Sequence, residues 1–584
     1  MDTIKRNYKS VISLIKEQTG ADETYNVMYP NFPQQVIEMD DADLFYNAIV
    51  HYFANGEIIP EYEKDDRFPL FLRDKKLKVI ELATENDIKD IFNNVNIIES
   101  VGNLDTEINN ISSDSRVIEK NDMFFAIKGY DLDGTKFIAS AVQNGASAIV
   151  IDGTCNITDY EVPESVAVIK VPNIRHTLAV ASCNLYDNPS KKLKLIGVTG
   201  TKGKTTSTYM IKSILQKHGL KVGLIGSIAI YINDEKIEDC DRTTAESYKI
   251  QKTLAMMVKE NVDIVVLEVS SQAMKLDRVV GCEFDAVLFT NLSEDHISPK
   301  EHKDMEDYFE AKLSLAKMAP FVVFNLDNEY TARIPNLLPD KELRSFAMDT
   351  KADVMAKDLN LSNTGVDFTL CMNNKEFPVR VSIPGKYMVY NCLGAIGIAT
   401  HFGAHIRDIQ EALKDIKVFG RSEVVPNKLG LKILIDYAHT PSSLQSILET
   451  VKPYTKGRVI CTWGVGGDRD SKKRPIMGEI SGKLADLTIL TSDQIRTEDP
   501  NKILDDIEVG LKKSGGEYVR ILNRTEAIKY ALSIATPDDI IVLPGLGSDL
   551  YIEYMHVKYP YDERVVIHDA IEEMIASGKW KPVE

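Results

Sequence analysis

Between Lys194 and Leu215 the chain spells out a strand, a glycine loop and a helix in that order, and this arrangement constrains the fold more than any other stretch. Lys194-Leu195-Ile196-Gly197-Val198 reads as a short buried strand. Met210, Ile211, Ile214 and Leu215 share one helical face that ends near Gly219. The loop between them is Gly197-Val198-Thr199-Gly200-Thr201-Lys202-Gly203-Lys204-Thr205-Thr206. Glycines at this spacing let backbone N–H groups approach phosphate oxygens at the positive end of a helix. Gly200, Thr201, Lys202, Gly203, Lys204, Thr205 and Thr206 are therefore the candidate contacts to ATP. Lys204 is placed to reach the β- and γ-phosphates and Thr205 to ligate Mg²⁺. The strict spacing of such loops requires glycine five residues before Gly203, where Val198 stands, so the loop is a variant. A chance glycine-rich turn is the competing reading, and the strand and helix on either side argue against it.

At 584 residues the chain is too long for one core, and about three or four domains are expected. A net charge of -18 and a pI near 5.2 argue against nucleic acid or an anionic membrane as the general partner. The opening residues Met1 to Arg6 lack a signal-peptide core, and no apolar run nears the length of a membrane span. A cytoplasmic protein without membrane insertion is expected. Seven cysteines are scattered with no Cys-x-x-Cys pair, which points to reduced, structural thiols.

From Leu193 onward short β-rich runs alternate with helical stretches, as at 264–267, 286–289, 321–324, 459–462, 487–490 and 540–543. This alternation predicts α/β layers on a largely parallel sheet. Breaks at Asp187 to Lys192 and at Val418 to Lys428 divide the chain, giving expected units at 99–192, 193–418 and 419–584. Residues 1–98 differ, being rich in aromatics and acids with no βα alternation. Leu44, Phe45, Ala48, Ile49, Tyr52 and Phe53 form an amphipathic stripe there. Either a small helical extension or a module that docks a protein partner fits, and in both cases residues 1–98 are expected to be dispensable for chemistry.

Several further segments stand in a fixed order: Asp114-Ser115-Arg116, Phe125-Ala126-Ile127-Lys128-Gly129-Tyr130, Thr243-Thr244, Glu268-Val269-Ser270-Ser271, Asp295-His296, Tyr308-Phe309-Glu310-Ala311-Lys312, Gly420-Arg421-Ser422-Glu423, Asp436 to Pro441 and Gly466 to Asp470. With the phosphate loop they make residues 100 to 584 resemble the Mur ligases, most closely the branch that produces the UDP-muramoyl tripeptide. The resemblance implies a three-domain α/β architecture: a UDP-binding domain, a central parallel-sheet phosphate-loop domain and a C-terminal Rossmann-like domain. It also implies an ATP-dependent, ADP-forming ligase that adds an amino acid to UDP-N-acetylmuramoyl-L-alanyl-D-glutamate, in bacterial peptidoglycan precursor synthesis. In that chemistry a carboxylate takes the γ-phosphoryl of ATP, and the amine of the amino acid then displaces phosphate. Charge builds on oxygens in both steps, which is what cations and loop N–H groups stabilise.

The same resemblance assigns residues. Lys204, Glu268, His296 and Lys312 are implied in catalysis, with Thr205, Glu268, His296 and a carbamylated Lys312 around magnesium. The carbamate arises when CO₂ adds to a neutral lysine amine, and burial would favour it by lowering the amine pKa. On residue chemistry alone, a surface histidine at 296 and a solvated helix lysine at 312 remain the plainer alternatives. Ser115, Thr243, Thr244, Ser270 and Arg278 are implied in binding the UDP-muramoyl dipeptide. Asn391, Arg421 and Asp436 are implied as adenine, phosphate and ribose contacts, although a turn or capping duty would also suit Asn391. Met388 and Gln272 depart from the family pattern without touching this logic.

The amino-acid pocket departs more. Diaminopimelate-adding members carry Asp-Asn-Pro-Arg where this chain has Asp493-Gln494-Ile495-Arg496, and Gly-Lys-Gly-His-Glu where it has Gly545-Leu546-Gly547-Ser548-Asp549. Asp493, Arg496, Gly545 and Asp549 are the candidate contacts, an arginine for a carboxylate and acids for an ammonium. The identity of the amino acid stays open. So do two other readings, a related amide ligase with another acceptor and a nucleotide-binding scaffold without catalysis.

Overall fold

The computed structural model describes residues 86–578, apart from residues 130, 131, 241, 299, 300 and 556. The amphipathic stripe from Leu44 to Phe53 and Tyr130 of the second motif lie outside the described residues.

Three α/β units follow one another. In the first, Asn110–Ser112, Asp122–Phe125, Ala148–Asp152 and Ala167–Val171 pair in parallel, and Glu99–Val101 closes the edge antiparallel. The expected boundary at residue 98 is corrected here. Ile88, Ile91 and Phe92 are buried in the core of this unit with Ile108, Ile111 and Met123. Asn86–Asp87 pairs with Glu107–Ile108, and Asn184, on the helix Ile174–Leu185, donates to the carbonyls of Ile91 at 2.8 Å and Asn93 at 2.9 Å. Residues 86–98 therefore belong to the first domain. Their helix, Ile88–Ile91, is too short for its periodicity to show in the sequence.

The central sheet has eleven strands. Its parallel part runs Val222–Ile225, Ile264–Glu268, Lys194–Thr199, Ala286–Phe289, Phe321–Asn325 and Glu342–Ala347. Both edges are extended: Ala229–Ile232 and Glu235–Asp239 add antiparallel on one side, and on the other Val354–Ser362 adds parallel and opens an antiparallel meander with Gly365–Met372 and Lys375–Val381. Helices Lys204–Lys217 and Lys386–His401 cover one face, where Met210, Ile211, Ile214 and Leu215 are fully buried as their spacing requires. Helices Ser247–Lys259 and Met305–Met318 contribute to the core of the other. Because Ile264–Glu268 and Ala286–Phe289 flank the phosphate-loop strand, Glu268 stands beside Val198 and Phe289 beside Thr199. Three adjacent strands thus end at one place, where ligands gather on parallel sheets.

The third unit is a six-stranded sheet ordered Glu423–Val424, Lys432–Asp436, Ile540–Pro544, Val459–Trp463, Leu487–Leu490 and Tyr518–Arg520, parallel except at the first strand. Its carboxyl ends deliver Asp436, Gly545 and Asp493 to one edge.

Candidate active site

The phosphate loop is held by the next strand's exit. Thr201 N donates to Asn291 O and Lys202 N to Asn291 Oδ1, both at 3.0 Å, while Thr290 Oγ1 donates to Lys202 O at 2.7 Å. Gly203 caps the following helix with φ +84°, and a Cβ there would come within 2.2 Å of Asn391 Oδ1. Glycine at 203 thus answers both to backbone shape and to a close neighbour. Asn391 is buried with its amide against the loop and Met388 Sδ, so it stands beside the cradle.

Glu268 is wholly buried at its strand end. Its carboxylate accepts from Thr205 Oγ1 at 3.1 Å, Ser227 N at 3.0 Å and Ser227 Oγ at 2.9 Å. Its backbone carbonyl accepts from Thr244 Oγ1 at 2.9 Å, and Ser270 N donates back to that hydroxyl at 3.0 Å. Ser227 Oγ, with its own proton on Glu268, lies 3.2 Å from Thr243 Oγ1 and accepts from that hydroxyl. One hydrogen-bonded network therefore links Thr205, Glu268, Thr243, Thr244 and Ser270, which the sequence assigned to two different ligands. Ser227, which completes it, carries no sequence signal beyond lying after a strand.

Two lysines meet on one acceptor. Lys204 Nζ donates to Gly200 O at 2.8 Å and Thr201 O at 3.0 Å, and Lys312 Nζ donates to the same Gly200 O at 2.9 Å. Lys312 is 1% exposed, with its ammonium 4.7 Å from the Tyr308 ring centroid. Burial, with the Lys204 charge beside it, holds its pKa well below the ordinary lysine range. Burial also lowers Lys204, against the opposing pull of Glu268. The solvated-helix reading of Lys312 is thereby overturned.

His296 lies elsewhere in its loop. It is half-exposed, has φ +58° and faces Glu301, with Nδ1 3.2 Å from that carboxylate; no hydrogen bond joins it to Glu268. The buried histidine near the centre is His302, with Nε2 2.9 Å from Ser271 Oγ and Nδ1 3.1 Å from Asp307 Oδ2. Its ring packs 4.9 Å from Tyr308, whose hydroxyl donates to Thr201 Oγ1 at 3.2 Å. Among the described residues no cluster of three or more histidine, cysteine, aspartate or glutamate side chains is arranged for a metal.

A cavity of about 740 Å³ opens at the carboxyl edge of the first sheet, lined by Lys128, Thr135, Asp152, Thr154, Asn173 and Arg175 among others, with Leu276 from the central domain. Arg175 also reaches Glu246 at 3.6 Å, which pairs with Arg278 at 2.9 Å and Arg242 at 3.1 Å. Arg278 is buried, donates to Thr244 O, and keeps a buried Nε with no hydrogen-bond partner. Three arginines thus gather on one acid, and Arg175 and Glu246 carry no sequence motif that announces the group. Ser115 is buried apart from the cavity lining, its carbonyl accepting from Asn144.

Arg421 stacks 4.4 Å from the Tyr437 ring centroid, and its charge acts on both Lys204 and Asp436. Asp436 accepts from Ser422 N at 2.7 Å, and burial raises its pKa. Arg421 Nε is buried without a hydrogen-bond partner.

In the third domain Asp493 and Asp549 face each other closely enough to interact. Burial, then the Asp493 charge, pushes the Asp549 carboxyl up to about 6. Asp493 Oδ2 is buried without a hydrogen bond, 3.8 Å from Arg524 Nη1, and a Cβ on Gly545 would come within 2.1 Å of it. Arg496 is partly committed, Nη1 donating to Gly467 O at 2.7 Å and Nε to Glu553 Oε2 at 3.2 Å.

A phosphate loop, a buried acid and two buried lysines in the central one of three α/β units mark a nucleotide-handling protein of the phosphate-loop class. The chain matches the Mur ligase family catalytic domain over residues 107–186, the Mur ligase middle domain over 198–399 and the Mur ligase glutamate ligase domain over 420–547. It is 46% identical to the UDP-N-acetylmuramoyl-L-alanyl-D-glutamate--2,6-diaminopimelate ligase of Clostridium tetani, over 81% of this chain and 96% of that one. It is 42% identical to ligase 1 of the same description from Clostridium acetobutylicum, over 83% of this chain and 99% of that one. A solved structure of a ligase of that description is 27% identical with a TM-score of 0.59, covering 84% of this chain and 99% of that one. The chain belongs to the Mur ligase family.

Proposed function

We propose that this chain is an ATP-dependent, ADP-forming ligase that joins an amino acid to UDP-N-acetylmuramoyl-L-alanyl-D-glutamate, a step of peptidoglycan precursor synthesis. The observation that carries the reading is a phosphate loop on whose Gly200 carbonyl both Lys204 and Lys312 rest, while Thr205 at its end bonds to the buried Glu268. ATP lies along the loop, with Lys204 and Arg421 toward its phosphates and Asn391 and Asp436 toward adenosine. The dipeptide carboxylate oxygen attacks the γ-phosphorus and ADP leaves. The amine nitrogen then attacks the acyl carbon of the resulting acyl phosphate, the C–O bond breaks, and phosphate departs. Lysines and loop N–H groups stabilise the charge gathering on oxygen in both steps.

Thr205 and Glu268 offer hard oxygen donors, the set that suits Mg²⁺. Bound there, the ion would neutralise phosphate charge. Lys312 as an ammonium would oppose a cation at this place, whereas its buried, easily deprotonated amine suits addition of CO₂, forming an N–C bond with loss of a proton and leaving an anion. His296 would have to exchange Glu301 for this centre. The cavity of the first domain and the Arg175, Arg242 and Arg278 group would take the anionic UDP-muramoyl portion.

The amino acid enters at Asp493, Arg496 and Asp549. The relatives' names specify 2,6-diaminopimelate, and the paired acids with a guanidinium suit an amino acid with a second polar end. A screen of amino acids with purified protein, ATP, magnesium and the UDP-linked dipeptide tests this. Phosphate release should be greatest with 2,6-diaminopimelate, and a preference for a monoamino, apolar amino acid would overturn the assignment.

A further inference from the structure

We infer that His302 is a positioning residue for the proposed ligation: its bond to Ser271 and its packing on Tyr308 set the spacing between the Glu268 strand exit and the helix that carries Lys312. The inference rests on the reading of Lys312 and the phosphate loop as the centre of that reaction.

Both ring nitrogens of His302 are used, and the partners fix the tautomer. Asp307 takes Lys275 Nζ at 2.5 Å as well as His302 Nδ1 at 3.1 Å, and the Lys275 hydrogen bond holds its carboxyl below the usual carboxylate value. An ionised carboxylate only accepts, so Nδ1 carries the ring hydrogen and Nε2 accepts from Ser271 Oγ. Acid, imidazole and hydroxyl stand in the order of a nucleophile relay. Ser271 is only 5% exposed and His302 only 1%, however, so the relay is closed to a substrate and serves as a brace.

The brace joins two sides of the centre. Ser271 opens the helix Ser271–Lys275, whose cap Ser270 donates its N–H to the Thr244 hydroxyl that in turn holds Glu268 O. On the other side, the imidazole packs 4.9 Å from the Tyr308 ring, that ring lies 4.7 Å from Lys312 Nζ, and its hydroxyl donates to Thr201 Oγ1. Thr201 O accepts from Lys204. The Asp307 bond is local, five residues along the chain, whereas the Ser271 bond spans 31 residues and is the one that sets the spacing.

The test uses the full chain with His302→Gln, His302→Asn, Ser271→Ala and the pair His302→Asn with Ser271→Ala. Glutamine can place an oxygen where Nε2 lies and keep an acceptor for Ser271; asparagine reaches only the Nδ1 position and keeps the donor to Asp307. His302→Asn and Ser271→Ala should each lower kcat by on the order of tenfold to a hundredfold, as a small misplacement of reacting groups does. KM for ATP should stay within about twofold, a split that loss of stability alone would not give. The pair should lose no more than either single change, because both remove one bond, and His302→Gln should stay within about threefold of the parent. Losses that add in the pair, His302→Gln as damaged as His302→Asn, or turnover that merely follows a lowered Tm would overturn the positioning role. A parent protein that forms no amide would refute the ligase reading itself, and this inference with it.

Discussion

The phosphate centre and the proposed amino-acid pocket both sit at the carboxyl ends of parallel strands, yet they hold their charges in opposite ways. Glu268 has its carboxylate filled by Thr205 and both donors of Ser227, and the lysines opposite it rest on loop carbonyls. The pocket leaves Asp493 Oδ2 buried without a hydrogen bond, beside an Asp549 whose pKa reaches about 6. The first arrangement is organised before its ligand arrives. The second holds a buried Asp549 whose charged form is penalised first by burial and then by the neighbouring Asp493 charge, a penalty that a bound ammonium would offset. On the proposed reading, the groups of the chemical step are held by the scaffold, and those that would select the amino acid keep unmet polar atoms.

The largest effect is expected from a change that spares both centres. A chain beginning at Ser100 loses Ile88, Ile91 and Phe92 from the first core, each a deletion of about 2–5 kcal/mol by the usual cost of large buried side chains. Its first domain should not fold, whereas a chain beginning at residue 84 should keep its activity. Thermal melts and turnover of the two truncations decide this, and equal behaviour would mean that residues 86–98 contribute nothing.

Within the phosphate centre, Lys312→Arg should remove amide formation, because guanidinium keeps its charge and forms no carbamate. Lys312→Ala should be equally inactive, with partial rescue by a small carboxylate such as acetate. Parent-like turnover by Lys312→Arg would break the contrast drawn here, leaving this lysine a merely structural cation. Lys204→Ala should cost on the order of 10³-fold in kcat by removing charge from the transferring phosphoryl.

The pocket should respond more gently, and to pH. Burial raises Asp549 above the ordinary carboxylate value, so the charged form is the penalised one and a proton is taken up as pH falls through about 6. KM for the amino acid should therefore rise about tenfold per pH unit below that point, while KM for ATP stays level. Replacement by Asp549→Asn should abolish the trend, and a profile unchanged in that variant would assign it to another group.

Much of the phosphate centre was legible in the chain. A strand, a glycine loop and a helix are contiguous in sequence, and βα alternation predicts the parallel sheet and Glu268 at a strand's carboxyl end, but not that this strand is the loop strand's neighbour. Ser227 was not legible, since its role depends on a strand pairing that no local pattern encodes. The antiparallel meander at 354–381 was missed for a similar reason: its partly exposed strands lack the apolar runs that mark the buried centre. His296 and His302 show the limit at a single site, because both lie in one loop and only burial separates them.

The central claim is a carboxylate activated by γ-phosphoryl transfer, and the nucleotide products test it most directly. With the UDP-linked dipeptide and the amino acid both present, ATP should yield ADP and inorganic phosphate in equal amounts with the new amide, and omitting either acceptor should stop amide formation and bring steady phosphate release to background. AMP and pyrophosphate as the products, or steady phosphate release indifferent to both acceptors, would contradict the account.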